Sequence, residues 1–247
     1  MINIEKIYAD SLHEKQAETR KKYEKHKGWY SASSAGSCFK KLLLRSVNAP
    51  EPTLDDRVMR LLRLGTIVHE DIQGAISRSS EMRNDDYVIS MEDRIEIPEY
   101  NVVGHVDIAI HNKKEDSLKV MDIKTCASYK WKMKFGRKPD RKGNPGYNMQ
   151  LATYTEAFKQ KIKPTGNVSM SLLWYNKDTS ALREEPIDTS WINDAKAYWE
   201  ELNDYVDGTD EGTISDYEKL EPGSYGIPME NWECRYCGFK DIYCKGV

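Results

Sequence analysis

The chain has 247 residues, 31% of them charged and 39% hydrophobic, and a formal net charge of −3. This length allows one well-buried core, and the slightly acidic balance excludes a global basic field, so any affinity for nucleic acid must come from a local patch. No stretch approaches the apolar length of a membrane helix and the polar amino terminus is not a signal peptide, so we expect a soluble, cytoplasmic protein without a membrane partner.

Hydrophobic periodicity predicts an α/β core in which a mixed central sheet is flanked by helices. In chain order we expect a charged helix over 4–26, a short helix capped by Ser33 or Ser34 that reaches Arg45, a helix over 55–78, strands over 86–97, 101–111 and 118–125, a helix over 147–160, strands over 168–176 and 182–187, and a helix over 190–206. Residues 1–247 form a single domain in this interpretation. Its parts are an amino-terminal helical segment (1–50), a core (51–206) and a carboxy-terminal cysteine segment (207–247).

Asp107 and Asp122 each interrupt an apolar run that otherwise has the pattern of a strand. A charged group in a half-buried strand is costly unless it is paired or binds a metal. A polar segment between the two runs predicts a hairpin that brings the carboxylates together, and Lys124 leaves the same strand face as Asp122. Such an arrangement gives an oxygen-lined site for Mg²⁺ or Mn²⁺ with an ammonium beside it. Taken alone, however, the pattern is more often a surface salt bridge between Asp122 and Lys124, so further motifs must decide. By alternation, His105 faces the same side as Asp107.

Two helices carry further candidate residues. His69 lies beside the apolar stripe of the helix over 55–78, where a histidine is more often a hydrogen-bonded core residue than a metal ligand. Gln150 and Tyr154 are four residues apart and share one helical face, from which they can hydrogen-bond phosphate oxygens or Lys124. A polar seam on an ordinary amphipathic helix would give the same spacing.

A basic and aromatic strip over 129–146 follows the strand that contains Lys124. It has seven basic residues and one acidic residue, interleaved with Tyr, Trp and Phe. Such a strip can follow a phosphate backbone and stack bases, although a charge run is usually only a solvated face. The candidate DNA-binding residues are Lys130, Trp131, Lys132, Lys134, Arg137, Lys138, Arg141 and Lys142.

Three cysteines, Cys234, Cys237 and Cys244, lie within eleven residues. In a chain without secretory features, such a cluster indicates a metal site rather than disulfides. Thiolates select zinc or an iron–sulfur cluster, and both commonly take four protein ligands. The fourth ligand is therefore Cys38 or Cys126, and Cys126 can also be explained as a small apolar residue.

Together these motifs resemble the RecB-like branch of the PD-(D/E)XK nuclease superfamily, which includes CRISPR-associated RecB-like exonucleases and AddB-type iron–sulfur nuclease domains. Asp107, Asp122 and Lys124 resemble its signature, residues 65–70 its helix with a metal-binding histidine, and residues 150–154 its Gln-x-x-x-Tyr helix. The resemblance implies Mg²⁺ or Mn²⁺ bound by His69, Asp107, Asp122 and the Ile123 carbonyl. It implies catalytic roles for Asp107, Asp122, Lys124, Gln150 and Tyr154, and a structural 4Fe–4S cluster on Cys38, Cys234, Cys237 and Cys244.

The implied activity is that of a DNA exonuclease acting on single strands or strand ends in a bacterial, archaeal or phage-infected cell. A helicase, CRISPR-adaptation or repair complex would be its partner. Six residues separate Cys237 from Cys244, where this family usually has five, so zinc remains an alternative to iron–sulfur. The alternative function is a non-catalytic DNA-binding or recombination-accessory protein of the same fold, which would bind DNA without shortening it.

Overall fold

The computed structural model describes residues 2–23, 28–139, 145–205, 212–223 and 231–244. Within these ranges the helices are α1 (Ile4–Tyr23), α2 (Phe39–Ser46), α3 (Asp56–Arg78), α4 (Ser128–Phe135), α5 (Pro145–Ile162), α6 (Trp191–Asp204), α7 (Ile214–Glu218), α8 (Asn231–Arg235) and α9 (Lys240–Tyr243). The strands are β1 (Tyr30–Ser31), β2 (Tyr87–Ser90), β3 (Asp93–Ile97), β4 (Val102–Val106), β5 (Ile108–Asn112), β6 (Ser117–Cys126), β7 (Val168–Asn176) and β8 (Leu182–Ile187).

The larger sheet of the described chain is mixed and has the strand order β2-β5-β6-β7-β8. Strands β6 and β7 are parallel, with Asp122 beside Leu172, and the other neighbours are antiparallel. A parallel pair needs a long crossover, and α4 and α5 provide it. Strand β6 is therefore central, paired with β7 from Leu118 to Cys126 and with β5 from Ser117 to Met121. The predicted α/β core with a mixed sheet flanked by helices is confirmed.

A smaller sheet has the order β1-β4-β3. The predicted strands over 86–97 and 101–111 are each divided between the two sheets. The chain leaves β2 for β3 at Met91 and Glu92, and it leaves β4 for β5 at Asp107. The expectation of two continuous strands was wrong because each run bends from one sheet into the other.

The two sheet-switching points lie side by side. The β2–β5 pairing ends at Ser90 and Ala109, and the β3–β4 pairing ends at Asp93 and Val106. Both strand pairs are antiparallel, so the residues between these ends meet at one place in the fold. Polar side chains at the two switches are consequently neighbours.

Helices cover the larger sheet on two faces. On one face, side chains of α3 pack against a small apolar cluster that includes Ile108, Met121 and Ile123. On the other face lies α5, in which every residue from Asn148 to Phe158 is buried. Such a helix is covered on all sides, and α6 lies over it through the hydrogen bond from Trp199 Nε1 to Thr153 Oγ1 (2.9 Å). Residues of α3 and α5 therefore approach β6 from opposite faces.

Several predicted boundaries differ from the structure. The helix expected to be capped by Ser33 or Ser34 is α2, which begins only at Phe39 after the cap residue Cys38, whereas both serines lie in a 3₁₀ turn. Helix α4 was not predicted, because its alternating lysines and aromatic residues were interpreted as a binding strip. The last residues of the helices expected over 4–26 and 190–206 lie outside the described residues. No helix in the described ranges combines the length and the apolar character needed to cross a membrane.

Candidate active site

Asp122 and Lys124 lie on one face of β6, as their spacing predicts. Asp122 has 1% of its surface exposed. Lys124 Nζ lies 2.6 Å from Asp122 Oδ2 and also donates a hydrogen bond of 2.9 Å to Gln150 Oε1 on α5. The pair is therefore buried beneath a helix, and the surface salt bridge that the sequence allowed is excluded.

Gln150 joins the two charged groups to Tyr154. Its Nε2 donates to Asp122 Oδ1 at 3.1 Å and to Tyr154 Oη at 3.2 Å. All three side chains are buried. A single amide thus fixes the carboxylate, the ammonium and the phenol in one connected network, which is rigid because buried polar groups must keep their partners.

Gly104 on strand β4 leaves the space that the Tyr154 ring occupies. A Cβ atom at Gly104 would lie 2.9 Å from Tyr154 Cε1 and 2.8 Å from Ala32 Cβ. Both separations are shorter than real Cβ contacts, so any side chain at this position would displace the ring or the 3₁₀ turn. The glycine in the run before Asp107 therefore has a packing role.

Asp107, which directly precedes β5, contacts the backbone of β6. Its Oδ2 accepts a hydrogen bond of 2.6 Å from the Ile123 N–H. Strand β5 pairs with β6 only as far as Ile108 and Met121, which leaves Ile123 without a strand neighbour on that side. The N–H and C=O groups of one strand residue point to the same edge, so the Ile123 carbonyl is also directed toward the Asp107 edge.

A third carboxylate, Glu92, lies at the same place. One ligand atom from each of His69, Glu92 and Asp107 lies within 4.8 Å of the other two. Glu92 is at the switch between β2 and β3, with a positive φ of 53°. Gln73, one turn beyond His69 on α3, donates to Glu92 Oε1 (2.8 Å) and to the Asp107 carbonyl (2.9 Å). Sequence reasoning missed both Glu92 and Gln73, although Ser90–Asp93 shows the same polar interruption of a strand that drew attention to Asp107.

The electrostatics of the site favour a bound cation. Burial raises the pKa of Asp122 to about 6, an effect that the Lys124 ammonium opposes. Burial lowers the pKa of Lys124, but the Asp122 carboxylate outweighs it and the net direction is upward. For His69, too, burial lowers the pKa, and the Asp107 carboxylate 3.4 Å from Nδ1 makes the net direction upward. The three carboxylates of Asp107, Asp122 and Glu92 outnumber the two cationic groups of Lys124 and His69, which leaves the net negative charge that a metal ion would offset.

The site opens into a cleft of about 760 Å³. His105, Asp107, Gln150 and Tyr154 line the cleft, so His105 lies on the Asp107 side as alternation predicts. Residues of α1, among them Gln16 and Thr19, form another wall. The volume lies within the range of about 300–1,000 Å³ that is typical of small-ligand sites. Among the site carboxylates, Asp107 thus lies on the wall of the cleft.

Part of the predicted DNA-binding strip packs onto the protein itself. Lys134 Nζ lies 2.8 Å from Glu185 Oε1, with 11% of the lysine side chain exposed. Lys130 Nζ lies 4.7 Å from the centre of the Tyr147 ring, and Trp131 packs against the main core. These three residues of α4 have partners within the fold, because they alternate with exposed positions around a helix rather than along an open loop.

The exposed remainder of the strip is smaller than the sequence indicated. Lys132, Arg137 and Lys138 are exposed. Arg141 and Lys142 lie outside the described residues.

The four cysteines named by the family resemblance line one cavity of about 50 Å³. Cys38 precedes α2, and Cys234, Cys237 and Cys244 lie on or beside α8 and α9. Burial raises the pKa of the Cys234 and Cys244 thiols. Cys126, the other candidate, is buried at the end of β6.

A family model of the PD-(D/E)XK nuclease superfamily matches residues 74–245. The match covers well over half of the chain, so the chain belongs to the PD-(D/E)XK nuclease superfamily. A comparison with curated proteins finds no match.

Similar folds occur among solved structures. SSO0001 is 19% identical with a TM-score of 0.49, over 96% of this chain and 95% of that one. A presumed exonuclease from Eubacterium rectale is 15% identical with a TM-score of 0.45, over 83% and 87% of the two chains. LHK-Exo, whose crystal structure contains dAMP, is 10% identical with a TM-score of 0.49, over 74% and 90%. At these identities the likeness concerns the fold alone.

Proposed function

We propose that the protein is a Mg²⁺- or Mn²⁺-dependent DNA exonuclease that hydrolyses single strands or strand ends. The observation that carries this proposal is the convergence of three carboxylates, a histidine and a lysine around Asp107, which lines the cleft. A protein that only binds DNA has no need of a buried carboxylate–lysine pair beside the further carboxylates of Asp107 and Glu92. Carboxylates repel phosphate unless a cation lies between them.

Asp107, Asp122, His69 and the Ile123 carbonyl are the proposed ligands, and Glu92 joins them. Carboxylate, carbonyl and imidazole donors suit Mg²⁺ and Mn²⁺, and the distances within the trio of His69, Glu92 and Asp107 fit a single ion. When bound, the cation would lower the pKa of water and offset charge on the scissile phosphate.

Of the remaining residues, Lys124 acts on the water and the phosphate, and two residues of α5 position it. Lys124 is placed to orient the attacking water and to stabilise negative charge on the phosphate oxygens. Gln150 and Tyr154 hold Lys124 and Asp122 in register, since their polar atoms are already bonded within the network. Their proposed part in catalysis is therefore to position these two groups.

We assign the DNA path to the surface around α4. Lys132, Arg137 and Lys138 are exposed cations there, and the proposal retains Arg141 and Lys142, which lie outside the described residues, as further DNA-binding residues. Lys130, Trp131 and Lys134 would have to leave their present partners to bind DNA, so we expect them to shape this surface rather than to contact phosphates.

The test of the proposed function is a gel assay with end-labelled single-stranded DNA and Mn²⁺. Linear strands should be shortened progressively, and a circular single strand of the same sequence should stay intact. Substrates blocked at the 5′ or the 3′ end give the direction of digestion. Salt-dependent binding of linear DNA without any shortening would instead support the recombination-accessory function.

Replacing Glu92 by glutamine should weaken Mn²⁺ binding about 10–100-fold, the loss typical of disturbing a metal site. The amide keeps the size and the contact with Gln73 but removes the negative charge. Calorimetric titration of Mn²⁺ measures the effect. Glu96→Gln is the matched control, because Glu96 lies on β3 and pairs with Arg94 away from the site. Equal Mn²⁺ affinity in Glu92→Gln and in the wild type would remove Glu92 from the ligand set.

Mn²⁺ affinity should also fall as the pH drops below about 6, the raised pKa of Asp122. A protonated carboxyl cannot bind the cation, so protonation of Asp122 should decrease the affinity constant about tenfold per pH unit below this pKa. Protonation of His69, whose pKa is raised above its usual value of 6.5, should add to this loss and begin at higher pH. Titrations across this range measure the slope. A flat profile would contradict the ligand role of both groups.

We further propose that Cys38, Cys234, Cys237 and Cys244 hold a structural 4Fe–4S cluster, which places the chain in the RecB-like branch. Among the described residues, no three of these Sγ atoms lie within 4.8 Å of one another. Tetrahedral zinc at Zn–S distances of about 2.3 Å needs sulfur atoms roughly 4 Å apart, whereas each thiolate of an iron–sulfur cluster binds a different iron atom. The common cavity of the four cysteines supports a metal site, and metal analysis of the purified protein distinguishes the cluster from zinc.

Protein purified without oxygen should contain iron and absorb broadly near roughly 400 nm. Zinc without iron would overturn the assignment. The cluster would join the segments 1–50 and 207–247 across the core 51–206, and the division of a single domain into these three parts belongs to the same proposal.

A further inference from the structure

Lys40 lies at the junction between α2 and the carboxy-terminal segment. It is buried, with 4% of its surface exposed. Its Nζ atom donates to the Glu218 carbonyl at 2.8 Å and to the Tyr243 carbonyl at 2.7 Å. The neighbouring Phe39 N–H donates to the Gly223 carbonyl at 2.7 Å. The first turn of α2 is therefore bound to three points near the carboxyl end of the chain.

The two carbonyls satisfy the hydrogen bonds of Lys40 but not its charge. Among the ion pairs of the described ranges, none includes Lys40. A buried ammonium without an anionic partner is costly, because desolvation is offset only by opposite charge. One carboxylate, Glu233, lies on the wall of the cavity that Lys40 lines.

The cavity beside Lys40 can supply the anion. Lys40 lines it together with the four cysteines, lies two residues after Cys38, and holds the carbonyl of Tyr243, which directly precedes Cys244. Four thiolates around a dication or an iron–sulfur core leave a net negative charge. The buried ammonium of Lys40 and the four cysteines thus line the same cavity.

We propose that Lys40 is the fixed counter-charge of the cysteine site and couples metal binding to the docking of the carboxy-terminal segment onto α2. This inference rests on the proposed metal site. With metal bound, the ammonium and the thiolates stabilise each other. Without metal, Lys40 keeps only its contacts with the two carbonyls, and the docked arrangement loses the stabilisation that the bound site supplies. Occupancy and docking are therefore cooperative.

The test is Lys40→Met, measured in the metal-loaded and the metal-free protein. Metal should be released to a chelator several-fold faster than from the wild type. The loss of melting temperature should be larger in the loaded form than in the metal-free form, whereas a purely structural role would lower both equally. If iron is bound, the reduction potential should fall, because an added electron is less stable without the nearby positive charge. Lys40→Arg keeps the charge and should restore the potential toward the wild-type value.

Lys161→Met is the control, since Lys161 is exposed, pairs with Asp93 on β3 and is not among the residues that line the cavity. Unchanged release and potential in Lys40→Met, with metal present in the wild type, would overturn the role of Lys40 alone. Zinc in place of iron would overturn the iron–sulfur assignment and leave zinc release as the measure of Lys40. Wild-type protein that retains neither iron nor zinc would overturn both the metal site and the role of Lys40.

Discussion

Replacing Lys124 by methionine should lower kcat on single-stranded DNA by about 10²–10³-fold, the loss typical of removing one group that stabilises charge in the transition state. Methionine keeps most of the length and the apolar stem. It removes the ammonium that contacts Asp122 Oδ2 at 2.6 Å and Gln150 Oε1 at 2.9 Å. Steady-state assays with labelled DNA and saturating Mn²⁺ measure the change.

The matched control for this prediction is Lys119→Met on the same strand. Lys119 pairs with Glu184 at 2.6 Å, and both side chains are about two-fifths exposed. Such a pair contributes little, so activity and stability should stay near the wild-type values. Equal activity in Lys124→Met and Lys119→Met would remove Lys124 from the catalytic machinery. Mn²⁺ affinity should persist in Lys124→Met, which separates loss of chemistry from loss of the ion.

The part of the site that the sequence predicts is the part that depends on local geometry. Asp122 and Lys124 share a face because side chains alternate along a strand, and Gln150 and Tyr154 share a face because of the helical repeat. The structure adds the contact between the two pairs. That contact needs α5 to cross β6, which no local pattern describes.

Glu92 and Gln73 belong to the part that could not be predicted in this way. Their meeting with Asp107 depends on two strands that leave one sheet for another at the same place. Alternation along a single strand gives no sign of such a switch. The sequence marks the switch with polar residues at 90, 92, 93 and 107, and these can be interpreted only when the pairing of the strands is known.

In the basic strip over 129–146, the sequence assigned to DNA binding some residues that pack within the fold. Its composition describes a cationic surface, but a helix turns successive side chains in different directions. Lys134 consequently reaches Glu185 while Lys132 faces solvent. Composition predicted the charge of this segment correctly, whereas the direction of each charge follows from the helix that was not predicted.

Replacing Cys237 by serine should remove the metal and destabilise the protein by about 5 kcal/mol, the scale expected for opening a very long closed loop. Cys38 and Cys234 are nearly two hundred residues apart in the chain, and a metal that joins them restricts the unfolded state strongly. Iron analysis, visible absorption and urea unfolding measure the loss. The carboxy-terminal segment should also become sensitive to protease, since α8 and α9 have few other buried residues.

Cys126→Ser is the matched control for Cys237→Ser. Cys126 is buried at the end of β6, and burial raises the pKa of its thiol, but it lies away from the cysteine cavity. This variant should keep its iron and lose only the stability expected for placing a hydroxyl in a buried apolar position, about 1–3 kcal/mol. Iron loss in Cys126→Ser with retention in Cys237→Ser would exchange the two cysteines in the ligand set. Retention in both would leave the cysteine cavity without a metal role, while the carboxylate–lysine site would still stand on the separate test of Lys124.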